Sequence, residues 1–127
     1  MTIVKYFNSI KERLLTDSVV SGFRIVRERT TTVDGYLRAC LTLTDDSWLE
    51  FSEYVQRSSD GCIHVITYSY HWADAHGDLI RRWDNTPYFP DLPDFPHHIH
   101  DGRTGKVNPG HPINIFVILD NVQMTNV

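Results

Sequence analysis

The chain has 127 residues, of which 41% are hydrophobic and 22% charged, so an intrinsically disordered protein is excluded and one domain over residues 1–127 is predicted. The formal net charge of −4 is not the basic excess of a duplex-coating protein, although charge can be segregated on a folded surface. No apolar run approaches the roughly 20 residues of a membrane span. The first residues lack a signal region, so we expect a cytoplasmic protein without membrane contact.

The first predicted element is a helix over residues 2–15, with Thr2 as its cap. Five apolar residues recur there at helical spacing: Ile3, Tyr6, Phe7, Ile10 and Leu14. Five strands follow, over residues 19–31, 36–43, 48–57, 62–73 and 79–84. Asp34-Gly35 is predicted to form the first hairpin turn. The links between strands are too short for parallel crossovers, and the sheet is therefore predicted to be an antiparallel meander.

Residues 86–112 contain all six prolines and are predicted to form one long irregular loop, anchored by Phe89, Phe95 and Ile99. A second helix is predicted over residues 112–123, with Pro112 in its first turn. The predicted fold is α+β: a five-stranded antiparallel meander with an N-terminal helix, a long proline- and histidine-rich loop and a C-terminal helix.

Several sites are excluded by missing motifs. The two cysteines, Cys40 and Cys62, form no Cys-x-x-Cys pair and are expected to be buried thiols. A Gly-rich phosphate loop, a Gly-x-Ser-x-Gly elbow and a His-Glu-x-x-His motif are all missing, which excludes P-loop hydrolysis and favours a protein without a cofactor.

The densest group of chemically useful residues lies on the predicted hairpin of the fourth and fifth strands. With a two-residue turn at His76-Gly77, His71 faces Arg82 and Ser69 faces Asp84. Tyr70 then faces Trp83 on the other side of the sheet. A three-residue turn would bring His71 beside Arg81 instead. One face of the hairpin would be ionisable and the other aromatic.

These residue types suit cleavage of a phosphodiester bond. His71 can transfer protons near neutral pH, Arg82 can stabilise phosphate charge, and Asp84 can orient a histidine. Four further residues are predicted to bind substrate, the aromatic ones by stacking on bases and the arginine by holding phosphate: Tyr68, Tyr70, Arg81 and Trp83. The alternative is that these cross-strand pairs only stabilise the sheet.

The segment His97-His98-Ile99-His100 is the second candidate. His-x-His spacing in extended backbone points two rings to one side, as an acid–base pair or metal ligands require. A metal site needs three or four ligands, and the remaining ones are not identified from the sequence. We therefore predict no metal site and assign His97 and His100 as candidate catalytic residues. The alternative is a packed loop with solvated imidazoles.

Three motifs together resemble the TumE family of toxin–antitoxin toxins. They are Tyr68-Ser69-Tyr70-His71-Trp72, then Leu79 through Asn85 with its Arg-Arg-Trp-Asp-Asn pattern, then Phe95-Pro96-His97-His98-Ile99-His100. The match is densest over residues 62–102, and the order of elements agrees over most of the chain. The resemblance implies a cytoplasmic growth inhibitor encoded beside a helix-turn-helix antitoxin that neutralises it. No active site is carried over from the family.

The leading hypothesis from the sequence is a toxin that cleaves RNA without a metal ion. The alternative is a non-enzymatic module that binds single-stranded nucleic acid or a protein target. In a third reading, the histidine and aromatic groups only determine the fold, and the antitoxin binds elsewhere. The sequence is also compatible with a homo-oligomer.

Overall fold

The computed structural model describes residues 1–125, which form two helices and seven strands. In chain order the elements are α1 (Ile3–Thr16), β1 (Val20–Thr30), β2 (Asp34–Leu43), β3 (Trp48–Arg57), β4 (Ile63–Ala73), β5 (Leu79–Asp84), β6 (His98–Asp101), β7 (Val107–Pro109) and α2 (Ile115–Thr125). Every strand pairs antiparallel with the next, in the order β1 to β7. The α+β class and the meander are confirmed, but the prediction of five strands is wrong.

The two additional strands lie inside the segment that was predicted to be one irregular loop. β6 pairs with β5, so that Arg82 faces His100 and Trp83 faces Ile99. The alternation of polar and apolar residues in β6 is typical of a strand, but it is short and prolines stand on both sides of it. Pro109 ends β7 at the edge of the sheet, where its missing N–H breaks no ladder.

Three local predictions are also wrong. The first hairpin turns at residues 31–33, where the Thr31 amide donates to the Asp34 carbonyl at 2.8 Å. Gly35 instead lies in β2, where a Cβ atom would stand 2.5 Å from Cγ2 of Ile3, so the glycine permits close packing of α1. α2 begins at Ile115 rather than at residue 112, with Asn114 capping the Val117 amide at 3.1 Å. Cys40 is half-buried and Cys62 exposed.

Both helices pack on the same face of the sheet. Thr2 caps α1 as predicted, accepting from the Lys5 amide at 3.1 Å. The buried side of α1 joins one hydrophobic core with the inward residues of β2, β3 and β4 and with α2. No helix within residues 1–125 is long and apolar enough to cross a membrane. The helices leave the opposite face of the sheet for polar side chains.

A carboxylate lies at the centre of this core. The Glu53 side chain is fully buried and accepts three hydrogen bonds: from the Tyr6 hydroxyl at 2.6 Å, the Tyr70 hydroxyl at 2.7 Å and the Ile115 amide at 2.8 Å. Burial raises the pKa of Glu53 above its ordinary value, while the three donors oppose that shift. Glu53 thereby joins α1, β4 and the first turn of α2 to β3.

Candidate functional site

Polar side chains form two rows across the face of the sheet that the helices leave open. One row contains Glu50, His71, Arg82 and His100, and the other contains Ser52, Ser69, Asp84 and His98. The predicted register of the β4–β5 hairpin is confirmed, because His71 faces Arg82 and Ser69 faces Asp84. The observed turn has three residues, 75–77, because the Asp74 amide donates to the Asp78 carbonyl at 2.9 Å. A bulge between Trp72 and Ala73 compensates for the additional residue and keeps the predicted register.

The two rows are linked through Arg82 and Asp84. Nη1 of Arg82 lies 3.2 Å from Nδ1 of His71, and Nε of Arg82 donates to Oδ2 of Asp84 at 2.9 Å. The Thr86 amide donates to Oδ1 of Asp84 at 3.1 Å. Burial opposes ionisation of Asp84, but the bonds from Arg82 and Thr86 outweigh it and lower the pKa of this carboxyl. A buried, negatively charged Asp84 therefore anchors the site.

A cleft of about 390 Å³ opens on this face beside Arg82. Its walls include Arg38, Trp48, Glu50, Ser69, His71 and Arg82. The Trp48 ring stacks on His71 with 5.5 Å between centroids, and Arg38 is ion-paired with Glu50. Burial lowers the pKa of His71, and the neighbouring Arg82 lowers it further. His71 is thus held mainly neutral, with Nδ1 as the acceptor facing Arg82.

His98 and His100 surround Asp84 on the other side of Arg82. Nε2 of His98 lies 2.7 Å from Oδ1 of Asp84, and Nε2 of His100 lies 3.8 Å from Oδ2. The Phe89 ring makes T-shaped contacts with both imidazoles, at centroid distances of 4.9 Å and 5.9 Å. Burial lowers the pKa of His100, although Asp84 acts in the opposite direction. The sequence contained the signal for this pair in the His-x-His spacing, but His98 was not among the predicted catalytic residues.

Four of the five predicted catalytic residues share the open face: His71, Arg82, Asp84 and His100. His71 and His100 flank β5, which puts them about 10 Å apart by strand spacing. The fifth residue, His97, lies on the helix side of the sheet. Its ring stacks on Tyr68 at 5.7 Å, and its Nδ1 lies 2.8 Å from the Tyr68 hydroxyl. The structure therefore does not bring His97 together with the other four.

The predicted substrate-binding residues also lie away from the cleft. Tyr68, Tyr70 and Trp83 are buried in the core, where Tyr68 and Tyr70 stack on each other at 5.2 Å. Arg81 lies on the same side of β5 as Trp83, with its guanidinium 5.6 Å from the Trp83 ring. In this position the aromatic rings pack against protein, on the side of the sheet opposite the cleft.

Exposed arginines extend the open face beyond the cleft. Arg24, Arg27 and Arg29 of β1 lie beside Cys40, Arg38 and Tyr36 of β2, on the side that carries the cleft. We call Arg24, Arg27, Arg29 and Arg38 the arginine strip. Despite the net charge of −4, the surface around the cleft is therefore locally basic.

The comparisons with known proteins agree with the motifs found in the sequence. The family model described as Toxin TumE matches residues 10–123. The comparisons with curated proteins and with solved structures gave no match. The family match covers nearly the whole chain, which confirms the resemblance: this chain belongs to the TumE family of toxins.

Proposed function

We propose that this protein is the toxin of a toxin–antitoxin pair and inhibits growth by cleaving RNA on the open face of its sheet. Membership of the family supports the toxin role and an antitoxin partner, and we propose a helix-turn-helix protein as that partner. The observation that favours RNA cleavage is the contact between His71 and Arg82 in an open cleft, next to the arginine strip. A base and a phosphate-binding cation are what this reaction requires.

The geometry supports a specific role for each group. In the free protein, Nη1 of Arg82 donates a hydrogen bond to Nδ1 of His71 at 3.2 Å, so this nitrogen cannot accept another proton. When a phosphate engages the guanidinium, Nδ1 is released and accepts the proton of the attacking 2′-hydroxyl. The oxygen attacks phosphorus, and the bond to the 5′-oxygen of the next nucleotide breaks. With His71 as the base, the acid is His100, whose Nε2 lies 3.8 Å from Oδ2 of Asp84 and which gives a proton to the leaving oxygen.

The test is cleavage of purified cellular RNA by the wild-type protein and by His71→Ala, with and without a chelator. Removal of a catalytic acid or base lowers rates by about 10²–10⁴-fold, and we expect a loss in that range. His76→Ala, at an exposed turn, is the matched control and should cleave like the wild type. Unchanged cleavage by folded His71→Ala would refute the role of His71. Absence of cleavage by the wild type would favour the binding module.

The pH dependence of cleavage follows from the lowered pKa of His71. A base must be neutral, and burial together with Arg82 keeps His71 neutral to lower pH than an ordinary histidine. The acidic limb of the kcat/KM profile should therefore lie below pH 6.5, the ordinary pKa of this group. A limb above that value would contradict this assignment of the base. The profile is measured on one short RNA of defined sequence.

The arginine strip predicts how RNA binding depends on salt. Each phosphate contact to single-stranded RNA contributes about 0.7 to the slope of log affinity against log salt concentration. Arg27→Ala and Arg29→Ala should each weaken RNA binding. Each should also reduce the slope, by part or all of the contribution of one phosphate contact. Arg103→Ala, in the exposed turn after β6, is the control. Equal slopes for all three variants and the wild type would exclude the arginine strip from RNA binding, whether or not RNA is then cut.

A further inference from the structure

His98 has a buried nitrogen without a hydrogen bond. The side chain is only 2% exposed, and its Nδ1 lies 3.0 Å from the Pro96 carbonyl, which accepts the proton of that nitrogen. Nε2 lies 2.7 Å from Oδ1 of Asp84 but forms no hydrogen bond to it. Because Nδ1 donates to the Pro96 carbonyl, Nε2 is the ring nitrogen that is left to bind a cation. A buried nitrogen without a hydrogen bond, placed beside a carboxylate, is a position that a bound cation can satisfy.

We propose that Asp84, His98 and His100 bind a divalent transition-metal ion such as zinc. One ligand atom from each residue can be chosen so that the three lie within 4.8 Å of one another. Ligands about 2.1 Å from one metal ion stand roughly 3–4 Å apart, so small side-chain rotations close the site. Two imidazoles and one carboxylate are ligands that zinc and similar ions accept, whereas magnesium prefers oxygen ligands.

The surroundings of the three ligands are those of a metal site. The Pro96 carbonyl orients the His98 ring, and Arg82 holds Oδ2 of Asp84. Oδ1 accepts one hydrogen bond, from the Thr86 amide, and its second lone pair can bind the ion. The carboxylate stands between the guanidinium and the ion and separates the two positive charges. Phe89 covers the two imidazoles on one side. Three protein ligands leave a fourth position for water or for an oxygen of a ligand, as in catalytic zinc sites.

Binding of the ion does not depend on the proposed cleavage of RNA. If both occur, His100 would bind the ion and would no longer give a proton to the leaving oxygen. The ion, on the far side of Arg82 from His71, would instead stabilise negative charge on the phosphate or the leaving oxygen. The reaction would then require metal, contrary to the expectation from the sequence. The chelator arm of the cleavage assay addresses that question separately.

The test is calorimetric titration of zinc chloride into the metal-stripped full chain, with magnesium chloride as a comparison. We expect one zinc ion per chain and no comparable binding of magnesium. His98→Ala and His100→Ala should each weaken zinc binding by at least about 100-fold, because changes to outer partners alone cost about 10–100-fold. His76→Ala and His111→Ala, both exposed, are matched controls for zinc binding by other histidines and should bind like the wild type.

Two results would overturn the proposal. One is the absence of zinc binding by the folded wild type. The other is equal zinc binding by the wild type and His100→Ala, whose half-buried side chain can be removed with less risk to the fold than that of His98. Circular dichroism of each variant establishes that it is folded. Zinc binding without RNA cleavage would leave the metal site standing and refute only the proposed reaction.

Discussion

Asp84→Asn is expected to lower RNA cleavage and toxicity by about 10²–10⁴-fold, as when a carboxylate that orients catalytic groups is neutralised. The lowered pKa of Asp84 means that it is ionised at neutral pH, and its charge holds Arg82 at 2.9 Å and faces His98 at 2.7 Å. An amide keeps the size of the side chain but loses this charge. It also presents an NH₂ group to Arg82 or to the Thr86 amide, where an acceptor is needed.

The measurement compares initial rates on one RNA at equal concentrations of folded protein. Asp91→Asn, an exposed change in the segment between β5 and β6, is the control and should keep the wild-type rate. Because Asp84 is buried, urea unfolding of each variant separates loss of activity from loss of the fold. A folded Asp84→Asn protein that cleaves at the wild-type rate would remove Asp84 from the mechanism.

Glu53→Ala is expected to lower the free energy of unfolding by about 3–5 kcal/mol, the range for breaking a buried polar network. The substitution leaves the hydroxyls of Tyr6 and Tyr70 and the amide of Ile115 without their acceptor, and all three bonds lie in the core. It also leaves a cavity where α1, α2 and the sheet meet. Urea unfolding followed by tryptophan fluorescence measures the effect. Glu12→Ala, on the exposed side of α1, should change stability by about 0.5 kcal/mol or less.

The raised pKa of Glu53 gives this network a pH dependence of known sign. A carboxyl whose pKa is higher in the folded state stabilises the fold below its unfolded pKa, and that contribution is lost as the pH rises through the folded pKa. Glu53→Gln cannot ionise. Its stability relative to the wild type should therefore improve as the pH rises from the acid range towards neutrality. A constant difference between the two proteins across this range would contradict the raised pKa.

The central strands were predictable because each carries a clear alternation of apolar and polar residues. β3 and β5 have the predicted bounds, and the predicted pairing of His71 with Arg82 is confirmed, although the bulge between Trp72 and Ala73 is needed to keep this register beside the longer turn. β6 was not predicted, since it has only four residues and prolines stand on both sides of it. Its existence is settled by pairing with β5, which is a tertiary contact and not a local preference.

The site was predictable up to the choice of face. The hairpin pattern separates ionisable residues from aromatic ones, but it does not say which side the helices cover. The aromatic side became the core, and Tyr70 and Trp83 are buried there. His97 and His98 point to opposite sides of the sheet, so the choice between them depends on where β6 begins. Glu53 did carry a signal, since the period of two places it on the core side with Phe51 and Val55.

The measurement that tests the central claim most directly is growth inhibition by induced expression of two histidine variants, one on each face of the sheet. His71→Ala alters the open face, and His97→Ala alters the face that carries the helices. At equal amounts of folded protein, we expect His71→Ala to lose toxicity and His97→Ala to keep it. Full toxicity of His71→Ala together with loss of toxicity in His97→Ala would contradict the account and move the active surface to the helix side.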